Sequence, residues 1–182
     1  MNVMRNNIKY FPISLFFLLA FANSAYSQDS LIYAFINEIK IDLVYGKELP
    51  FNLSDSSYRI ALEDSEIQND IITGFAESIA PDILIHMLNS NQRSAFLWDQ
   101  NNILGAYLIK GQDEKTILKR RGAIRERTIN YISIPIFDSS YRFAIIQSAY
   151  YCGSLCAGGC IELYEFVNQK WKIKARTSCW NS

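Results

Sequence analysis

Hydrophobic residues in the N-terminal half of the chain recur at three- and four-residue spacing, which places them on one face of a helix. The first such stripe follows Asp29 and Ser30, either of which can cap a helix, and it precedes Gly46, which can end one. Two further stripes lie in residues 63–79 and 81–89. The pattern therefore predicts three amphipathic helices in this half of the chain.

The pattern changes between and after these helices. Residues 47–62 contain a run of turn-forming Asn, Ser and Asp, so we expect a loop there. Residues 95–98 and 103–109 are short β-type runs on either side of a polar turn, and they predict a hairpin. Residues 113–121 predict a short helix with acidic residues at its start and three basic residues at its end, an order that the helix dipole favours.

From about residue 129 onward, apolar and polar positions alternate, which indicates β-strands. The turns Asp138–Ser140 and Asn168–Gln169, together with a Cys- and Gly-rich stretch, separate the predicted strands. Helices followed by strands predict an α+β fold. The helical part, about 28–92, is expected to pack on a C-terminal antiparallel β-meander with disulfides, within a β-rich part of about 93–182.

A two-residue loop at Asn168 and Gln169 would fix the register of the last hairpin. The facing pairs would then be Phe166 with Trp171, Tyr164 with Ile173, Glu165 with Lys172 and Cys160 with Thr177. Cys179 would lie two residues beyond Thr177 on the same face, within diagonal reach of Cys160.

The first 27 residues have the pattern of a signal peptide. Arg5 and Lys9 precede an apolar run, residues 11–22, and small residues occupy the −3 and −1 positions of a cleavage site after Ser27. The run is shorter than the roughly 20 apolar residues that a membrane span needs, although an uncleaved anchor is the alternative. We therefore expect a single exported domain, residues 28–182, that is periplasmic or secreted and has no stable membrane span after cleavage.

Composition narrows the function classes. The chain has 182 residues, 49% of them hydrophobic, which excludes a disordered chain. Its 18 basic and 18 acidic residues balance, so we expect no nucleic-acid partner. The charges are unevenly divided, with a net −8 in residues 28–100 and +6 in residues 101–182. Two complementary surfaces of one fold are the simpler interpretation, and a basic patch for an acidic partner is the alternative.

The four cysteines are the main chemical feature. An even number in an exported chain predicts disulfides. We prefer Cys152–Cys156, which closes a tight glycine-containing loop, together with Cys160–Cys179, while Cys152–Cys160 with Cys156–Cys179 remains the alternative. The spacing lacks the Cys-x2-Cys pattern of zinc and redox sites, so we expect no metal and no cofactor.

The chain offers little for catalysis. Its single histidine, His86, is expected on the polar face of the third helix, four residues after Asp82. The sequence contains no G-x-S-x-G, H-E-x-x-H, phosphate-binding glycine loop or EF-hand loop. We therefore assign no catalytic residue and favour a non-enzymatic binding or interaction protein with an unidentified protein or envelope component as its partner. The alternative is a carboxylate-dependent hydrolase acting on an envelope or extracellular substrate.

Aromatic residues, which make up 14% of the chain, are frequent in the predicted strands, where they are expected to form core. Tyr150 and Tyr151 directly precede the expected disulfide loop, and Leu155 lies inside it. Tyrosine provides contact area at low cost in conformational entropy. These three residues are therefore the candidate recognition surface.

The last 50 or so residues resemble a group of small exported bacterial proteins of unknown function. The likeness rests on the segments 134–137 and 151–159, on Trp171-Lys172-Ile173 and on the terminal Trp-Asn-Ser. Members share a Cys-Gly-x-Leu-Cys hairpin loop followed by a Lys-Trp-Lys strand. The resemblance implies that Cys152 and Cys156 are the recurrent pair, with Cys160 and Cys179 added in this chain, and it implies no activity.

Overall fold

A computed structural model describes residues 28–44, 49–90 and 94–182. The expected signal peptide and the predicted helix end at Gly46 lie outside the described residues. Residues Ile32–Ser182 form one compact unit. Of the preceding unit, only residues 28–31 are described, and they form the first turn of a helix.

Five helices occur in the described part of the chain. They are α1 (Gln28–Leu43), α2 (Ser65–Phe75), α3 (Pro81–Asn89), α4 (Glu114–Leu118) and α5 (Ile124–Arg127). The first three confirm the helices that the hydrophobic stripes predict, although α1 begins one residue before the expected caps. Helix α2 is shorter than predicted and begins where the side chain of Asp64 accepts a hydrogen bond from the Glu66 backbone N–H at 2.9 Å.

The strands of the described residues belong to one mixed sheet. They are β1 (Phe51–Ser54), β2 (Ala106–Ile109), β3 (Ile129–Ile132), β4 (Ile136–Phe137), β5 (Phe143–Gly153), β6 (Cys156–Val167) and β7 (Lys170–Asn181). Their order is β2-β1-β3-β5-β6-β7, and β4 also pairs with β5. Strands β5, β6 and β7 form the predicted antiparallel meander, whereas β1 is parallel to both β2 and β3. The α+β class is confirmed, with a sheet that extends beyond the meander.

Two sequence predictions are wrong in the part of the sheet that contains β1 and β2. Strand β1 lies inside the expected loop 47–62, and all four of its residues are buried. The expected hairpin of residues 95–98 and 103–109 does not form, because Leu97 pairs with Ser56 and β2 pairs with β1. Both errors have one cause, since the actual pairing partners are distant in sequence and local turn signals cannot identify them.

Helices cover the meander on both faces. Consecutive residues of a strand point to opposite faces, so neighbouring residues of β5 and β6 enter different cores. Ile146 and Tyr164 pack in a core with residues of α1, whereas Ile145 and Leu163 pack in a core with residues of α2 and α3. The sheet is therefore the middle layer between α1 on one side and α2 with α3 on the other.

The last hairpin follows the predicted register near its turn. Asn168 and Gln169 have φ values of 53° and 61°, as a type I′ turn requires. The confirmed pairs are Phe166 with Trp171, Glu165 with Lys172 and Tyr164 with Ile173.

Farther from the turn, the predicted register is wrong because β7 contains two irregularities. Thr177 faces Ile161 rather than Cys160, and Trp180 faces Gly159. At each of two irregularities, β7 therefore contains one more residue than the facing segment of β6. The second irregularity lies next to Ser178, whose φ is 47°. Together they bring Cys179 beside Cys160, with a Cα–Cα distance of 4.1 Å, and the two form a disulfide.

Candidate functional site

The second disulfide, Cys152–Cys156, closes the connection between β5 and β6. The Cα atoms of its cysteines are 5.2 Å apart, and Gly153 between them has a φ of 129°, which a residue with a side chain rarely adopts. We call residues 152–156 the disulfide loop. The structure thus contains the pairing preferred from the sequence. Leu155 is 89% exposed within the loop.

A groove of about 600 Å³ lies between the disulfide loop and helix α5. Leu118, Ile124 and Arg127 line it together with the residues of the loop. We call this feature the loop groove. The covalently closed loop forms one wall, so this wall is held in place before any partner binds.

Arg127 gives the loop groove a polar group that needs a partner. Its Nε is buried and finds no hydrogen-bond acceptor among the described residues. A buried donor without an acceptor costs about 1–3 kcal/mol, and such groups are rare in folded proteins.

The groove adjoins the most basic part of the chain, residues 119–127, which we call the basic segment. It contains one acidic residue, Glu126, and five basic residues, namely Lys119, Arg120, Arg121, Arg125 and Arg127. All of these except Arg127, which is half-buried, are exposed. Arg120 and Arg125 also line a second cleft, of about 390 Å³, with Leu49, Pro50 and Tyr107.

The predicted helix end explains fewer of these basic residues than the sequence suggested, because the helix is shorter than predicted. The sequence pattern predicts a helix over residues 113–121, whose last turn would hold the first three of them. Helix α4 ends at Leu118, and only Lys119 occupies its C-cap. Arg120 and Arg121 follow the end of α4, whereas Arg125 and Arg127 lie in the last turn of α5.

The predicted recognition residues do not form one surface. Tyr150 and Tyr151 are consecutive on β5, so they point to opposite faces of the sheet. Tyr151 pairs with Ile129 across the strands, and neither tyrosine lines the loop groove. Of the three predicted residues, only Leu155 belongs to it.

Tyr150 instead lines another cleft, which lies on the α1 face of the sheet and has a volume of about 370 Å³. We call it the carboxylate cleft because Asp42 and Glu162 both line it, as does Arg176. Glu162 is only 2% exposed. Its alternating position in β6 turns it inward among apolar neighbours, and it was not among the candidates that the sequence suggested.

Glu162 is held by two hydrogen bonds. Arg176 donates from Nε to Oε1 at 2.7 Å, and the Tyr164 hydroxyl donates to Oε2 at 3.2 Å. Burial raises the pKa of the Glu162 carboxyl, and the nearby charge of Asp42 raises it further, while Arg176 and Tyr164 act in the opposite direction. Burial also raises the pKa of the Tyr164 hydroxyl above its ordinary value. Glu162 is therefore a buried carboxylate whose two oxygens accept hydrogen bonds from Arg176 and Tyr164.

Asp64 and His86 occupy positions with ordinary structural roles. Asp64 is the N-cap of α2, and His86 lies on the exposed side of α3. The described residues contain no group of three or more His, Cys, Asp or Glu side chains placed to hold a metal ion. Within the same described ranges, no helix combines the length and the apolar character needed to cross a bilayer.

Comparisons of the chain with protein-family models, with curated proteins and with solved structures find no match.

Proposed function

We propose that the protein is an exported, non-enzymatic binding protein of the cell envelope, and that its partner docks at the loop groove. Export follows from the signal-peptide pattern of the first 27 residues. The two disulfides agree with it, because disulfides persist in oxidising compartments such as the periplasm.

The observation that carries the proposal is the content of the loop groove. It combines an apolar side chain fully offered to solvent, Leu155, with a buried donor that lacks an acceptor, Arg127 Nε. A partner bound in the groove would bury Leu155, which is favourable, beside the positive charge of Arg127. The rigid disulfide loop lowers the entropy cost of that binding.

Retention on envelope preparations tests this function. Purified exported protein is incubated with envelopes of the source cells, and the bound fraction is measured after sedimentation. We expect Leu155→Asp to lose binding, because a charge would replace the apolar contact. Leu104→Asp is the matched control, since Leu104 is 63% exposed and lines none of the three clefts. Equal retention of both variants, or no retention of the wild type, contradicts the proposal.

A second candidate function is hydrolysis that depends on carboxylates. It is favoured by the presence of Asp42 and the buried Glu162 in one cleft, since glycoside hydrolysis uses one protonated and one ionised carboxyl. In this role Glu162 would be the proton donor, and Asp42 would be the second carboxyl of the pair.

Release of reducing sugars from envelope glycans tests the hydrolase. We expect the wild type to release them and both Asp42→Asn and Glu162→Gln to lose at least about a hundredfold in rate, a usual contribution of a general acid or base. Circular dichroism verifies that each variant is folded. Wild-type protein without activity, or activity that survives in folded variants, excludes this function.

A further inference from the structure

We infer that the partner of the loop groove is the surface of an anionic lipid bilayer, to which the protein binds peripherally. The inference rests on the proposed function, because it names the partner of the same groove. It is carried by the basic segment, by two exposed aliphatic side chains and by the position of Arg127 in the lining of the groove.

The basic segment supplies the electrostatic part. Five basic residues and one acidic residue within positions 119–127 give it a net charge of +4. Each basic side chain near an anionic bilayer contributes about 1 kcal/mol to binding. The opposite charge of residues 28–100, a net −8, is repelled by the same surface. The basic segment is therefore the part of the described chain that we expect to face the lipid.

The aliphatic side chains supply the apolar part. Leu155 is 89% exposed and Ile124 is 44% exposed, and both line the loop groove. Ile124 also lies between the arginines of the basic segment, at positions 121 and 125. Aliphatic residues flanked by cationic ones are typical of surfaces that enter the boundary between headgroups and acyl chains.

The same groove is less suited to a protein or nucleic-acid partner. No aromatic side chain lines it. Protein interfaces concentrate their binding energy in Trp, Tyr and Arg, with Leu under-represented, and single-stranded nucleic acids stack on aromatic rings. A lipid surface requires neither an aromatic pocket nor a stacking platform.

Arg127 gives the contact its polar anchor. A headgroup phosphate has acceptor oxygens, and arginine binds phosphate through strong charge-assisted hydrogen bonds. Arg127 lines the groove, so a headgroup phosphate bound there would lie beside its positive charge. Leu155 and Ile124 would then contact the apolar region next to that phosphate.

Sedimentation with lipid vesicles tests the inference. The purified exported protein is mixed with vesicles of phosphatidylglycerol and phosphatidylcholine, or of phosphatidylcholine alone. We expect binding to the anionic vesicles only, weakened by added salt. Arg120→Glu with Arg121→Glu should lower the partition coefficient at least about tenfold, and Leu155→Ser about fivefold. Inorganic phosphate at constant ionic strength should not displace the protein.

The matched control is Lys170→Glu with Lys172→Glu. It changes charge by the same amount at exposed positions at the start of β7, at the opposite end of β6 from the disulfide loop. This control should reduce binding less than threefold. Equal losses for the two charge-reversed proteins, equal binding to both vesicle types, or displacement by phosphate would overturn the inference.

The envelope experiment separates this inference from the proposed function. Retention on envelopes that needs Leu155, without binding to anionic vesicles, means that the partner is an envelope component other than the lipid, so the lipid inference fails and the binding function stands. If the wild-type protein is neither retained on envelopes nor bound to anionic vesicles, the binding function and the lipid inference are both contradicted.

Discussion

At the scale of single residues, Asp138 shows how one carboxylate holds the turn between β4 and β5. It is buried, and it accepts hydrogen bonds from the backbone N–H groups of Phe143 at 2.6 Å and Ser140 at 3.1 Å, and from the Ser140 hydroxyl. Burial alone would raise the pKa of this carboxyl, but the hydrogen bonds outweigh burial and lower it.

The lowered pKa of Asp138 predicts a pH dependence of stability. Its contribution is present above the ordinary pKa of aspartate and is lost as pH falls through the lower pKa of the folded state. We expect Asp138→Ala to lower the free energy of unfolding by about 2–3 kcal/mol at pH 7, and by less at acid pH. Urea denaturation at several pH values measures this. Asp113→Ala is the control, because Asp113 is exposed and its side chain makes no capping hydrogen bond. A loss that does not depend on pH would contradict the assignment.

Gly74 marks the closest approach between α2 and β7. A Cβ at this position would lie 2.3 Å from Oγ1 and 2.5 Å from Cβ of Thr177. We expect Gly74→Ala to destabilise the protein by about 1–3 kcal/mol, because the strand must shift, even though alanine favours helix. Gly111→Ala is the control, since its new Cβ would meet open space. Denaturation midpoints compare the two, and an unchanged Gly74→Ala midpoint would refute the close packing.

At the scale of elements, the two disulfides have different consequences. Cys152–Cys156 closes a loop of five residues, worth about 2 kcal/mol, whereas Cys160–Cys179 closes one of twenty, worth about 3 kcal/mol. We therefore expect the Cys160→Ser/Cys179→Ser protein to be less stable in urea than the Cys152→Ser/Cys156→Ser protein. The latter should stay folded and lose envelope retention, because only its disulfide forms a wall of the loop groove. The reverse order of stability would contradict the loop-closure argument.

The elements that could be predicted are those whose signals are local. The stripe of α3, the type I′ turn at Asn168 and the adjacent register needed only neighbouring residues. Strand β1 escaped prediction because its Asn and Ser residues indicate a turn, whereas parallel pairing on both sides decides its conformation. The sequence also did not predict the two irregularities at which β7 contains one extra residue. The residue predicted to face Cys160 was therefore wrong, although its predicted disulfide partner, Cys179, was right.

At the scale of the whole molecule, the candidate sites depend on the arrangement of distant segments. The sequence indicated Leu155 through the disulfide loop, but Arg127 joined it only through the packing of α5 against that loop. Asp42 and Glu162 are 120 positions apart, and the end of α1 and β6 bring them to one cleft. A charged residue at an inward position of a strand was the one sequence signal that could have pointed to Glu162.

The stability of the whole molecule should depend on an oxidising compartment. Together the two disulfides contribute about 5 kcal/mol, against a net stability of about 5–15 kcal/mol for typical domains. We expect a strong reductant to lower the urea midpoint sharply.

A version expressed without residues 1–27 should stay in the cytosol with reduced cysteines and should gain stability when oxidised after purification. Peptide mapping without reduction should recover Cys152 linked to Cys156 and Cys160 linked to Cys179 from the exported protein. If the exported protein carries free thiols, or if reduction leaves the midpoint unchanged, the disulfides do not support this fold, and the oxidising compartment loses its physical basis.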